Sequence, residues 1–192
     1  MKNKIKIFIS LFIVFTFFSL LFFNKTIRVS AASEFETDGT TLIAYNGSSS
    51  KVVIPNNITI IGDGAFEYNE KLVEVVLHDN VKEIGIRAFN NCRSLSAINL
   101  DKVAKIGEMS FQGTSIREVI FPETITDIPI GAFAYSKIEN VTLGKKTLSI
   151  ASSAFYKCTN LKKITLSDCL YSIGEQAFLG CVNLEKIDLP NN

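Results

Sequence analysis

The stretch from Ile84 to Leu100, IGIRAFNNCRSLSAINL, decides the fold, because its pattern recurs at regular intervals through most of the chain. An isoleucine stands five residues before each repeated phenylalanine, and alanine directly precedes five of the six phenylalanines, with Ser110 as the exception. The repeated phenylalanines are Phe66, Phe89, Phe111, Phe133, Phe155 and Phe178. One pattern at a nearly constant period is typical of a solenoid, in which each unit buries its apolar edge against the next.

A second pattern, apolar-x-x-apolar-x-apolar, follows each phenylalanine. In the quoted repeat its apolar residues are Leu95, Ile98 and Leu100. The last three positions alternate between apolar and variable residues and are rich in β-branched side chains, which indicates a β-strand. In the third and fourth copies the phenylalanine and the first apolar residue are five residues apart instead of six. The sequence therefore predicts a β-rich solenoid of about six coils, each about 22–23 residues long.

Residues 1–31 have the order of an export signal. Basic residues at positions 2, 4 and 6 precede an apolar run from Ile7 to Phe23, and the small residues Ser30, Ala31 and Ala32 follow. This order predicts a secretory signal peptide over residues 1–31, and an uncleaved membrane anchor is the alternative.

Charge and motifs exclude several classes of function. Five of the 20 basic residues and none of the 19 acidic residues fall within residues 1–31, so the rest of the chain carries a net charge of −4. Nucleic acid is therefore not expected as a partner, because phosphate binding needs a basic patch. No Walker or dinucleotide motif is present, and nothing places a nucleophile beside the single histidine, His78. We expect no enzyme activity, no cofactor and no small-molecule substrate.

The string I-G-x-x-A-F-x-x-C-x-x-L-x-x-I-x-L resembles the BspA-type leucine-rich repeats of bacterial surface proteins, and the resemblance covers about residues 58–192. It implies a curved solenoid with one parallel strand per coil on the concave side. Residues ahead of the repeats, such as Phe35, Leu42 and Val52, resemble the strand-rich N-terminal cap of that family. The implied domains are a signal peptide (1–31), a cap (32–57) and a solenoid (58–192). The resemblance also implies secretion or cell-surface display, and adhesion to host, matrix or other surface proteins.

The repeat pattern stops in mid-coil at residues 189–192, without a C-terminal cap or an L-P-x-T-G sorting signal. Two alternative explanations follow. Either the chain is a fragment of a longer protein, or something outside the sequence covers the last coil. Self-association through that uncapped coil is a further expectation, and it belongs to an alternative function as a structural spacer or self-assembling element.

Two columns of residues lie between the inward apolar positions of the predicted strands and are expected to face the concave surface. The first column changes from acidic to basic along the chain, and the second contains two β-branched apolar residues. We interpret the columns as a protein-binding strip, and the alternative is an ordinary solvated strand surface. Their members are Glu74, Ala97, Glu118, Asn140, Lys163 and Lys186 in the first column, and Val76, Asn99, Ile120, Thr142, Thr165 and Asp188 in the second.

Three of the four cysteines, Cys92, Cys158 and Cys181, share one column, three residues after the repeat phenylalanine. Cys158 and Cys181 belong to neighbouring coils, about 4.8 Å apart in such a column, so a disulfide between them is within reach. The alternative is a ladder of buried free thiols. Cys169 falls outside the column at a predicted turn. Without a C-x-x-C pair, no metal site is expected.

Overall fold

A computed structural model describes residues 33–189, which fold into stacked coils of short strands and turns. None of these residues forms a helix that is long and apolar enough to cross a membrane. The predicted signal peptide lies outside the described residues. The fourteen strands are β1 (Phe35–Asp38), β2 (Thr41–Tyr45), β3 (Lys51–Val53), β4 (Ile60–Ile61), β5 (Glu74–Val76), β6 (Glu83–Ile84), β7 (Ala97–Ile98), β8 (Lys105–Ile106), β9 (Glu118–Ile120), β10 (Asp127–Ile128), β11 (Asn140–Thr142), β12 (Ser149–Ile150), β13 (Lys163–Thr165) and β14 (Ser172–Ile173).

The strands that follow each phenylalanine form the strand face, which we define as the odd-numbered strands from β3 to β13. Within it, β3, β5 and β7 pair in parallel, and so do β9, β11 and β13. The predicted solenoid of parallel strands is confirmed. Coils are numbered from 1 to 6 by their repeat phenylalanine, so that coil 1 contains Phe66.

Each coil also contains a second, shorter strand that the sequence analysis did not predict. These strands, the even-numbered ones from β4 to β14, are two residues long and end on the repeat isoleucine. They pair in parallel in two runs, β4 with β6 and β8, and β10 with β12 and β14, for example Ile61 with Ile84. A two-residue strand is too short for an alternating pattern to appear in the sequence, which explains why it was missed.

The repeat phenylalanines form one continuous stack inside the solenoid. Successive ring centroids from Phe66 to Phe178 are 5.0–5.7 Å apart, and the rings are within 19° of parallel. The residue directly before each phenylalanine is buried, so only a small side chain fits between coils at that position. Stacked aromatic pairs contribute about 0.5–1.5 kcal/mol each beyond the area that they bury.

The turn that carries the phenylalanine contains two residues with left-handed backbone, two positions before it and two positions after it. In coil 1 these are Gly64 (φ 64°) and Tyr68 (φ 59°). Their N–H groups donate to the next coil at 2.9 and 2.8 Å, and so does the N–H of Phe66, at 2.8 Å. Left-handed backbone costs an L-residue about 1–2 kcal/mol. We infer that the bonds between coils offset this cost where the position is not glycine.

The N-terminal strands continue the stack before coil 1. Strands β1 and β2 form an antiparallel hairpin, and β2 pairs in parallel with β4. Tyr45 takes the place of a repeat phenylalanine, with its ring 5.2 Å from Phe66 and 5.2 Å from Phe35 on the other side. Strands β2 and β3 thus extend the same ladders as the repeats. The predicted cap boundary at residue 57 stays a prediction.

Candidate binding face

The structure places the two predicted columns side by side on the strand face. Backbone pairing aligns Glu74 with Ala97, and it aligns Asn140 with both Glu118 and Lys163. In the second column Ile120, Thr142 and Thr165 are aligned in the same way, Val76 lies on β5, and Asn99 directly follows β7. Lys186 and Asp188 follow Phe178 in coil 6, where no strand continues the strand face, and their side chains are 2.5 Å apart.

Both columns extend one coil further towards the N-terminus than predicted. Lys51 aligns with Glu74, and Val53 aligns with Val76. The Lys51 Nζ atom lies 2.7 Å from Glu74 Oε1, so the first acidic residue of the column is already paired. Val52 and Val75 are separated by one repeat period, and this spacing would have revealed the additional coil.

Asn99 differs from the other members of its column because its side chain binds the neighbouring coil. Its Nδ2 donates to the carbonyl oxygen of Leu77 at 2.9 Å, and its Oδ1 accepts from the N–H of Leu77 at 2.8 Å. The amide therefore imitates a backbone strand partner. Asn99 holds two coils together, a role that the sequence analysis did not assign to it.

A chain of charges runs beside the first column. Glu139 lies 2.7 Å from Arg117 in the preceding coil and 2.7 Å from Lys162 in the following coil. The hydrogen bond from Lys162, followed by its positive charge, holds the pKa of the Glu139 carboxyl below its ordinary value. Glu118 and Lys163, by contrast, form no ion pair within residues 33–189. Their charges are therefore available to a partner.

The strand face is interrupted between coils 2 and 3. Within the described chain no strand pair joins β7 to β9, although each pairs with its neighbour on the other side. A cleft of about 460 Å³ opens there, and residues on its walls include Glu74, Ala97, Ile98 and Glu118. A second cavity of about 240 Å³ shares Ile98 and Glu118 and extends to Ile120. This cleft joins both predicted columns at one place.

The column cysteines are free thiols in the structure and face inwards. Cys92 Sγ lies 2.9 Å from the carbonyl oxygen of Phe66, and burial raises the pKa of this thiol to about 12. Cys158 Sγ donates to the carbonyl oxygen of Phe133 at 3.0 Å, and Cys181 Sγ donates to that of Phe155 at 3.1 Å. The neighbouring Cys181 thiol, together with burial, raises the pKa of Cys158. Cys169 is exposed. These contacts describe thiols that pack as part of the core.

The single histidine supports a turn and has no catalytic neighbour among the contacts of the described chain. His78 Nε2 lies 3.0 Å from the carbonyl oxygen of Pro55, and its Nδ1 lies 3.3 Å from the backbone nitrogen of Asn80. Residues 33–189 contain no group of three histidine, cysteine, aspartate or glutamate side chains that could hold a metal ion.

Known proteins share this architecture. A leucine-rich repeat protein of T. pallidum is 23% identical, with a TM-score of 0.64 over 80% of this chain and 89% of its own. A leucine-rich cell surface protein of Faecalibacterium prausnitzii is 25% identical, with a TM-score of 0.67 over 80% of this chain and 54% of its own. The pneumococcal vaccine antigen PcpA is 22% identical, with a TM-score of 0.56 over 74% of this chain and 34% of its own.

The present chain thus spans about half the length of the Faecalibacterium protein and about a third of PcpA. No protein of curated function matches it in sequence. The profile of the BspA type leucine rich repeat region matches residues 41–150 and 126–192 in 6 copies, which confirms the resemblance noted in the sequence. The chain belongs to the family of BspA-type leucine-rich repeat proteins.

Proposed function

We propose that this protein is secreted or displayed at the cell surface and binds another protein through its strand face, without catalysing a reaction. The observation that carries the proposal is Ile120, whose side chain is 65% exposed near the middle of that face. It stands beside Glu118, a carboxylate without an ion-pair partner among the described residues. Val53 is also 61% exposed on the same face.

An ordinary solvated strand surface would place polar side chains at these positions. Covering an exposed apolar side chain with a partner removes its surface from water, which is favourable. Exposed apolar patches surrounded by polar residues are typical of interaction surfaces. Unpaired charges beside them add selectivity, because they favour partners of opposite charge and disfavour partners of like charge. The strand face combines both features.

Location outside the cytoplasm rests on two further observations. Residues 1–31 have the order of a secretory signal, and the Faecalibacterium protein, 25% identical, is described as a cell surface protein. An extracellular repeat protein with an exposed strand face has access to host, matrix and other surface proteins. Binding such proteins is therefore the function that the geometry supports best.

The experiment compares binding of the full-length protein to a panel of purified extracellular-matrix proteins, by biolayer interferometry, with that of two variants. The first variant reverses four charges on the strand face: Glu74→Lys, Glu118→Lys, Lys163→Glu and Lys186→Glu. Its matched control reverses the Glu83–Lys105 ion pair on the second strand series, whose charged atoms are 2.5 Å apart.

We expect the strand-face variant to lose binding and the control variant to keep it, while both retain the circular dichroism spectrum of the wild type. Full binding by the strand-face variant would exclude this surface. Absence of binding to every panel member, together with concentration-dependent association in analytical ultracentrifugation, would favour the alternative of a structural or self-assembling element.

A further inference from the structure

The cleft between β7 and β9 is bounded by hydrogen bonds from coil 3 to coil 2. Before the cleft, the Ser115 N–H donates to Leu95 O at 2.8 Å, and its Oγ donates to Arg93 O at 2.6 Å. After it, Thr124 Oγ1 donates to Val103 O at 2.6 Å. Between these ties the two strands do not pair. The result is a slot with fixed ends, and not a frayed edge.

The floor of the slot is apolar and reachable from solvent. Ile98 is only partly buried, whereas its counterparts in the neighbouring coils, Val75 and Val119, are 1% and 6% exposed. Ala97 and Ile120, which line the two parts of the slot, are exposed. At the equivalent positions of other coils, the adjacent coil buries this apolar surface. In the slot, an aliphatic chain from a ligand could bury it instead.

The rim of the slot carries negative charge. Glu118 lines both parts of the slot and has no cationic partner within residues 33–189, and Glu74 lines the first part but is paired with Lys51. Asp101 lines the second part. The side-chain amide of Asn99 is already hydrogen-bonded to the backbone of Leu77. Within residues 33–189 neither Glu118 nor Asp101 forms an ion pair, and of these two carboxylates only that of Glu118 lines both parts of the slot.

An apolar floor with a carboxylate at its edge matches a side chain that combines an aliphatic stem with a terminal cation. Lysine and arginine have this form, and they bury their stems against apolar surface while the charged end stays at the rim. A purely apolar ligand would leave Glu118 without a partner, and an acidic ligand would meet repulsion. Because the slot is open along the strand face, a protein segment that lies across the strands can reach it.

We propose that this slot receives a lysine or arginine side chain of an extended partner segment, with the stem over Ile98 and the cation beside Glu118. The proposal deepens the proposed function and rests on it, since the slot lies within the same strand face. It identifies the partner by chemistry, as an extended segment that presents a lysine or arginine side chain.

The probe is the peptide acetyl-Thr-Val-Lys-Val-Thr-amide, added to full-length protein that is isotope-labelled at alanine and isoleucine methyl groups. We expect saturable NMR shifts at Ala97, Ile98 and Ile120. The same peptide with norleucine, which keeps the stem but lacks the charge, should bind more weakly. Glu118→Gln should weaken the affinity for the lysine peptide about two- to fivefold, as expected for the loss of an exposed ion pair. Glu123→Gln, a carboxylate outside the slot, should leave the affinity unchanged.

Charge exchange provides a second test that does not depend on absolute affinity. Glu118→Lys should prefer the peptide in which glutamate replaces lysine, reversing the selectivity of the wild type. No saturable shift at the three methyl groups, equal binding of the norleucine peptide, or unchanged selectivity in Glu118→Lys would each overturn the proposal. If the four-charge variant loses partner binding while these peptide results are negative, the slot is excluded and the proposed function stands. Peptide binding together with unaltered partner binding by that variant would instead contradict the proposed function.

Discussion

Replacing Ser110 with alanine is expected to make the protein more stable. Ser110 occupies the position before Phe111, where the other five repeats have alanine. Its side chain is 0% exposed, and its Oγ has no hydrogen-bond partner, the only such buried side-chain atom in residues 33–189. The backbone N–H and carbonyl of Ser110 are bonded to Gly107 and Phe89, and alanine would keep both bonds. The substitution therefore removes an unsatisfied hydroxyl and leaves the remaining contacts in place.

Two opposing contributions set the magnitude. A buried hydroxyl without a hydrogen-bond partner costs about 1–3 kcal/mol. Removing its oxygen leaves a void of about 10–15 Å³, which costs about 0.3 kcal/mol at about 24 cal/mol per Å³. We therefore expect the free energy of unfolding to increase by about 0.7–2.7 kcal/mol. For a domain of this size each kcal/mol raises the melting temperature by about 2–4 °C.

The assay is urea unfolding of wild type and Ser110→Ala, followed by circular dichroism at 25 °C. The matched control is Ala132→Ser, which introduces a hydroxyl at the same buried position of the next coil and should destabilise the protein by a similar amount. If Ser110→Ala is neutral or destabilising, the hydroxyl has a partner, such as a buried water, and the inference that it is unsatisfied is wrong. A neutral Ala132→Ser would show that this position tolerates a hydroxyl in any coil.

Three further predictions concern single residues. Burial raises the pKa of the Cys92 thiol from 9.0 to about 12. At pH values between these two, the thiol is protonated in the folded protein and ionised in the unfolded chain, so unfolding releases a proton. Stability should therefore fall between pH 9 and 12 by up to about 1.4 kcal/mol per pH unit from this thiol, and Cys92→Ala should flatten the slope in urea titrations. Gly107→Ala would place a Cβ 2.5 Å from the backbone of the preceding coil, whereas the Cβ of Gly39→Ala meets nothing within 4 Å and costs only the strain of left-handed backbone (φ 60°), about 1–2 kcal/mol. In thermal melts the Gly107 substitution should be the more damaging of the two, and equal losses would argue against tight packing there. The NMR titration midpoint of Glu139 should lie below its ordinary value and move up in Lys162→Met, because the lysine hydrogen bond lowers the pKa of that carboxyl; an unmoved midpoint would contradict this cause.

The solenoid could be predicted from sequence because its main contacts are repeated in every coil. Each buried phenylalanine stacks on the phenylalanine of the next coil, so the period of the sequence is also the period of the structure. Strand pairing follows the same period, which is why Asn140 aligns with Glu118 and Lys163 as the columns require. Repetition makes both the fold and the two columns readable without an alignment of related sequences.

Features that depend on a single side chain in a single coil could not be predicted in this way. The amide of Asn99 replaces a backbone partner of Leu77, and Tyr45 replaces a phenylalanine at the start of the stack. Neither role has a counterpart in the other coils, so the period carries no information about it. The gap between β7 and β9 is of the same kind, because it depends on how two particular coils diverge.

The gap illustrates how a repeat protein can acquire a specific site. Coil 3 is one residue shorter than coil 2 between its phenylalanine and its strand, and the break in the strand face falls between these two coils. The change from five back to six residues between coils 4 and 5 leaves β11 and β13 paired, so shortening alone does not open a gap. Asn99, Ile98 and Glu118 are among the residues that line the break. Regular coils supply the stack of phenylalanines and the hydrogen bonds that keep the solenoid rigid. A site that distinguishes one partner from another requires a departure from that regularity, and the departure on the strand face coincides with its exposed apolar floor and unpaired carboxylate.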